Sequence, residues 1–403
     1  MAAPFSRRTF LGAAAAVVVI AACGSDDSSA NVDTEVATQI ATPDKPVTLP
    51  VYDDNPAIAD GLKPESGTLR IANYADFVSP ELVDAFKEQY GVDVEISTYE
   101  NGPELLSKIT SGALKVDLIL SIGIDQLPKY VGAKLIQPLN KTYLTNIGNL
   151  LPSAANPFFD QGLHYGVPYT VFTTGIGFRT DAIDPATVDQ QGWDAIWDPK
   201  YKGQVGILND SREAFAMAML KLGMTNINTP SDDDLAAAAA ELQRLVNDSN
   251  VKVDIVAYQK LPGDEGKINE AWSGDMVLAT SYLPDGVEPS VLGYWRPAPD
   301  VTVVGTDLSA ILKDAEHPVL AHLFLDMLMD TDNALTNFAF TGYQGVVQGL
   351  QADKVLAAEI IPENLTNTLV TDDDFAKGIF ILALPRETEA KLEDAWSKFN
   401  AGG

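Results

Sequence analysis

The sequence is poor in the residues that build covalent or metal-held scaffolds. It has one cysteine, Cys23, and three histidines, His164, His317 and His322. A single cysteine excludes internal disulfides and a cysteine-rich metal site, and three scattered histidines leave little for a zinc enzyme. Basic residues are scarce as well: 27 Lys and Arg stand against 56 Asp and Glu, a formal net charge of −29. That balance argues against nucleic acid and against adhesion to an anionic membrane through a basic patch, and it favours cationic ligands. An acidic surface adapted to salt would give the same sum. No G-x-S-x-G, Walker A or H-E-x-x-H string occurs, so no catalytic, metal or cofactor motif is legible. Gly175-Ile176-Gly177 lacks the third glycine of a dinucleotide fingerprint and reads as a turn between lobes. His317, just ahead of Pro318, reads as a surface residue at a helix start.

What is present is a globular composition, 46 % hydrophobic over 403 residues, long enough for two domains with a large core. Residues 1–22 read as a processed export signal. Arg7 and Arg8 lie in SRRTFLG, which resembles a twin-arginine motif, and Leu11–Ala22 is an apolar run too short to span a bilayer. Ile20-Ala21-Ala22-Cys23 looks like a lipobox, which makes Cys23 the expected acylation site and attachment to the membrane the expected outcome. Residues 23–66 then read as the acylated cysteine and a flexible tether, rich in Asp, Ser, Thr, Ala and Pro, with ends roughly 35 Å apart. The stretch PVYDDNPAIADGLKPE carries apolar residues suited to docking on the globule.

Residues 67–140 alternate strand and helix signals. TLRIA is a short apolar run; SPELVDAFKEQYG follows, with Ser79 as N-cap, Pro80 at the first helical position and Gly91 past the end. VDVEIST alternates at period two, and VDLILS is a nearly continuous apolar run, as expected of a strand buried on both faces. A βαβαβ order implies a parallel sheet flanked by helices. The pattern recurs over 203–300, where YKGQVGILND and GDMVLATSY read as strands around two helices, and TEAKLEDAWSKFN closes the chain as an amphipathic helix. GLHYGVPYTVFTTGIGFRTD suits a crossing between two α/β lobes. Trp193, Trp197 and Tyr201 read as packing within the second lobe.

Ordered blocks then carry a resemblance: IANYADFVSPELVDAFKEQYGVDVEISTYE, KVDLILS, LIQPLNKTYLTNIGNL, HYGVPYTVFTTGIGFRTD, WDAIWDPKYKGQVGILNDSREAFAMAMLKLG, GTDLSAIL and FTGYQG. Over about residues 67–400 the chain resembles the extracytoplasmic solute-binding proteins of bacterial ABC transporters, in the spermidine/putrescine-binding branch. The resemblance implies a two-lobed type II periplasmic-binding-protein fold, each lobe a mainly parallel sheet with flanking helices, joined by a hinge. Lobe 1 would be 67–171 plus 307–350, and lobe 2 would be 172–306 plus 351–403. It implies a monomeric binding component that delivers a small cation to a permease driven by a cytoplasmic ATPase.

A polyamine presents ammonium groups separated by methylenes. Each desolvated ammonium needs a carboxylate, and the methylenes need flat apolar walls that aromatic rings also supply to the cations. Asp210 and Glu213, at i and i+3 after a strand, share one side of a helix start. The same spacing serves a capping arrangement, and the two roles coexist for Asp210. The resemblance implies that Asp210, Glu213, Asp307 and Asp76 meet ligand amines, that Tyr74, Tyr282 and Tyr343 stack on the ligand, and that Ser121 touches it. Gly305, Ala75, Phe77 and Gly123 stand where the family often has other residues, among them a Trp wall at Gly305. The acids are kept and the aromatic box is thinned, so the identity of the cation stays open. Another organic cation, a thiamine-like compound or a sugar is the alternative cargo of the same fold.

Overall fold

The computed structural model describes residues 32–401. The export signal and Cys23 lie outside the described residues. The centre of the molecule is one sheet of strands β1 (Thr68–Asn73), β2 (Asp93–Thr98), β3 (Leu118–Gly123), β4 (Val167–Arg179), β5 (Val205–Leu208), β6 (Lys252–Asp254), β7 (Ile268–Trp272), β8 (Leu292–Trp295), β9 (Val303–Ile311), β10 (Gln344–Gly345) and β11 (Ile379–Phe380). Its main path runs β2-β1-β3-β9-β4-β7-β5-β6. The outer thirds, β2-β1-β3 and β7-β5-β6, are parallel, and β9 and β4 join them antiparallel. Period-two alternation sorts the core onto both faces: Leu69, Ile71, Leu118 and Leu120 point into one apolar cluster, Ala72 and Ile119 into the other.

Local chemistry accounts for most elements. The helix Pro80–Tyr90 starts with proline, ends on Gly91 at φ 66° and buries Leu82 and Phe86. Ser79 sits at its N-cap position without capping; its backbone N–H donates instead to Asn337 Oδ1. The helix Asp232–Arg244 opens on a capping box between Ser231 and Asp234. The helix Ser211–Lys221 is buried on nearly every side, and Trp193, Trp197 and Tyr201 pack beside it. The closing helix Arg386–Asn400 buries Leu392, Trp396 and Phe399.

Five expectations are corrected. Residues 273–282 form a helix, Ser273–Leu278, and a short 3-10 turn, while the strand is Ile268–Trp272; a short apolar run fits either state, and only pairing decides. Gly175 and Gly177 lie inside β4, not at a turn, and a Cβ on Gly177 would meet Met276 Sδ at 2.3 Å. His317 is buried against Asp117, whose Oδ1 accepts from its backbone N–H at 3.0 Å. Residues 351–403 do not pack as one body: Val355, Ile361, Val370, Phe375 and Phe380 join the clusters of the β1 side, because β11 pairs with β9. Residues 32–66 are not a free coil. They form a strap that buries Val36, Val47 and Leu49 and bonds to residues 132–165, including Asn55 Nδ2 to the Ile136 carbonyl and Lys134 to Asp54. Glu65 then accepts from the Val319 and Leu320 N–H groups at the start of the helix Pro318–Leu328.

Candidate functional site

Strand direction places the site. β3 ends at Gly123 opposite Asp307, and Asp307 lies opposite Thr170 of β4. From the other side, β7 ends at Trp272 opposite Thr174. β3 and β7 run in opposite senses, so their carboxyl ends approach each other across residues 170–174 of β4, about 13 Å of strand. Ligands of open α/β sheets bind outside strand carboxyl ends, and this geometry brings two such edges together.

Acids line both edges. Asp210 caps the helix Ser211–Lys221, its Oδ1 accepting from the Arg212 and Glu213 N–H groups at 2.8 and 3.1 Å. Glu213 does not reach back to close a capping box. Its Oε1 accepts from Trp272 Nε1 at 3.0 Å, and burial followed by the Asp210 charge pushes its carboxyl up to about 7. Asp307 is half-buried, accepts the Thr170 hydroxyl at 2.6 Å, and is pushed up by burial to about 6. Asp275 is buried, accepts the Tyr343 hydroxyl at 2.8 Å, and is pushed up by burial to about 7. Among the described residues neither Asp275 nor Asp307 has a salt-bridge partner.

A run of rings connects the edges: Tyr99 to Tyr74 at 4.6 Å between centroids, Tyr74 to Phe77 at 5.9 Å, Phe77 to Tyr343 at 5.0 Å, Tyr343 to Phe172 at 5.6 Å, and Phe172 to Trp272 at 6.0 Å. Burial, then the charges of Asp307, Asp125 and Asp210, raise the Tyr74 phenol. Tyr343 is raised by burial, then by Asp275, Asp307 and Glu213. The charges acting on these two phenols include those of Asp210, Glu213 and Asp307.

The remaining candidates lie beside or beneath it. Asp76 is exposed at φ 53° and does not cap a helix. Tyr282 is 46 % exposed, 5.3 Å from the Tyr258 ring. The Tyr258 phenol is raised by burial, then by Tyr282, Asp275 and Asp76, which puts those two at the rim on the Asp275 side. Ser121 is buried; its carbonyl accepts the Tyr99 hydroxyl and its Oγ donates to Asn73 Oδ1 at 3.3 Å, so it supports Tyr99 from below.

Sequence reasoning missed Asp275, Trp272, Phe172 and Asp125. Asp275 and Trp272 flank the misread helix start in W-S-G-D. Phe172 pairs with Gly305 across β4 and β9, and a Cβ on Gly305 would sit 2.2 Å from its ring. An aromatic wall therefore does cover Gly305, supplied by the neighbouring strand, and the box is not thinned at that point. The Asp125 carboxylate similarly occupies the space of a Gly123 side chain, 2.4 Å from its Cβ position. Register carries the first signal, which is not local in sequence, whereas Asp125 lies only two residues from Gly123.

Comparison with known proteins fits this arrangement. Residues 81–362 match the bacterial extracellular solute-binding protein family. The spermidine/putrescine-binding periplasmic protein of Salmonella typhimurium is 33 % identical over 220 residues, 53 % of this chain and 61 % of that protein; the match thus spans less than two thirds of that relative. A putrescine/cadaverine-binding protein of Pseudomonas aeruginosa is 25 % identical over 285 residues, 68 % of this chain and 78 % of that one. Among solved structures, the spermidine/putrescine ABC transporter substrate-binding protein PotD of Streptococcus pneumoniae superposes with a TM-score of 0.69 at 22 % identity, covering 84 % of this chain and 99 % of that one. The fold is that of the two-lobed, type II periplasmic binding proteins, and the chain belongs to the bacterial extracellular solute-binding protein family.

Proposed function

We propose that the chain is the substrate-binding component of an ABC importer and captures a polyamine between its two lobes. One observation carries this: buried Glu213 and Asp275 and half-buried Asp307 lie beside a run of aromatic rings, and among the described residues no protein cation meets Asp275 or Asp307. A carboxylate left so is costly unless a cation arrives. Ammonium groups at both ends of an alkyl chain match acids at both edges, and the rings between match the methylenes. A sugar would need no such charge. The names of the relatives support the same cargo.

The rest of the proposal concerns delivery. The lobes close around the cargo by bending where β4 and β9 cross between them, and the closed form docks on a permease whose ATPase supplies the energy. Export by the twin-arginine route and acylation of Cys23 hold the protein, as a monomer, at the outer face of the membrane. No helix among the described residues is long and apolar enough to cross a membrane. Radiolabelled palmitate incorporated by the full chain and lost in Cys23→Ala tests the anchor.

A thermal-shift panel of putrescine, cadaverine, spermidine, thiamine and maltose tests the cargo. A ligand at a hundred times its dissociation constant adds about 2.7 kcal/mol of stability. A shift with the amines and none with maltose is expected; a shift with maltose or thiamine alone overturns the assignment.

A further inference from the structure

Beneath Glu213 lies a second acid that no ligand contact explains. Glu270 is fully buried in β7. It stands two residues before Trp272, so both side chains leave the strand on one face, and Glu213 lies over that face. Trp272 Nε1 holds Glu213 Oε1 at 3.0 Å. Glu270 Oε2 accepts from the Leu208 N–H at 3.0 Å, at the end of β5, two residues ahead of Asp210. That leaves Glu213 Oε2 and Glu270 Oε1 buried without a partner, together with the hydroxyl of Thr174, the residue opposite Trp272. The charges acting here are Asp210 and Glu213 on Glu270, and Asp210 and Arg212 on Glu213. Arg212 is half-buried; its Nη2 donates to Asn228 Oδ1 while its Nη1 has no partner.

Orphaned buried oxygens on adjacent acids have a simple resolution. Two buried carboxylates whose charges act on each other repel, whereas one proton shared between the two orphaned oxygens would satisfy both and remove one charge. Glu270 is the acid to hold that proton: it is the deeper of the two, and burial followed by the Glu213 charge pushes its carboxyl well up.

We propose that Glu270 is a positioning residue of the binding site, a protonated acid whose hydroxyl donates to Glu213 and fixes that carboxylate to receive the cationic end of the cargo. It works as a pair with Trp272, each holding one oxygen of Glu213 from the same strand face. The Thr174 hydroxyl and the unpartnered Arg212 Nη1 are the other donors acting on Glu213 among the described residues. The inference rests on the cation-capture reading for its consequence, but not for the placement of the proton.

The test uses Glu270→Gln and Glu270→Met in the full chain, titrated with putrescine and spermidine by calorimetry from pH 5.5 to 8.5. Glutamine keeps both jobs: its oxygen accepts from Leu208 and its amide donates to Glu213. Methionine keeps the volume and neither bond. The expected result is a loss of about tenfold or more in affinity for Glu270→Met, with the pH at which affinity falls moved upward, and recovery to within about threefold for Glu270→Gln. A folded methionine variant with wild-type affinity and an unmoved pH profile would overturn the proposal. A second readout needs no ligand. The infrared carbonyl band of a protonated carboxyl at pH 8.5 should be present in the wild type and reduced in Glu270→Gln. An identical band in both, or none in the wild type, refutes the placement. If the wild type binds neither amine, the cargo assignment fails and the infrared comparison still decides Glu270; it decides alone if the methionine variant does not fold.

Discussion

Asp374 and Asp275 are both buried acids, and their surroundings are opposite. Asp374 takes both outer nitrogens of Arg296, at 2.7 and 2.9 Å, while its Oδ2 also accepts the Thr371 N–H and hydroxyl. Every lone pair that matters is matched within the protein. Asp275 has the Tyr343 hydroxyl on one oxygen and nothing on the other. The first acid is complete when the chain folds. On the cation-capture proposal, the second is complete only when a cation arrives. Paired buried acids of the first kind hold loops in place, and unpaired ones of the second kind mark where a cation is awaited.

The sharpest way to break this contrast is to exchange the two outcomes. Asp374→Ala removes the buried partner of the half-buried Arg296 and should cost about 3–5 kcal/mol in chemical denaturation, with amine affinity unchanged in whatever remains folded. Asp275→Asn should do the reverse. At pH 8 it removes an unpaired buried charge, so the melting temperature holds or rises, while putrescine affinity measured by calorimetry falls at least tenfold, about 1.4 kcal/mol. If Asp275→Asn destabilises and binds normally, the contrast is wrong.

Proton linkage sharpens it further. Glu213 and Asp275 at about 7 and Asp307 at about 6 all stand above ordinary carboxylate values. The unliganded fold therefore holds extra protons between the ordinary range and neutrality. Their stabilising contribution is fully present below the unfolded values and is lost as the pH rises through 6 and 7. A bound cation displaces those protons, so affinity should weaken on acidification below neutrality, by roughly tenfold per pH unit for each proton released. Calorimetry in two buffers of different ionisation enthalpy counts the protons directly; no release would contradict this account. The smallest effect belongs to the rim: Tyr282→Ala should change stability by no more than about 0.5 kcal/mol and affinity by less than Asp275→Asn does.

How much of this was legible depended on whether the signal was local. VDLILS and QVGIL announced β3 and β5 because a buried strand is a short apolar run bounded by polar residues. Asp210 and Glu213 were legible because a helix start after a strand has its own spacing. G-D-M-V-L-A-T-S-Y was misread because a short stretch of buried helix looks like a strand, and Asp275 was lost with it. Phe172 over Gly305 could be found only once the register of β4 and β9 was known. Docking of the strap was legible only in PVYDDNPAIADGLKPE, which carries apolar residues; the part ahead of it is held by backbone bonds such as the Val47 N–H to the Phe158 carbonyl. Composition reports none of those.

That strap also sets where mechanical load enters the molecule. Its bonds run to residues 132–165 and to the start of the helix Pro318–Leu328, and none of them reaches β5, β6 or β7. A pull applied at residue 32 would be borne by one side of the fold alone, and the opposite side, with Asp210, Glu213 and Glu270, would carry none of it.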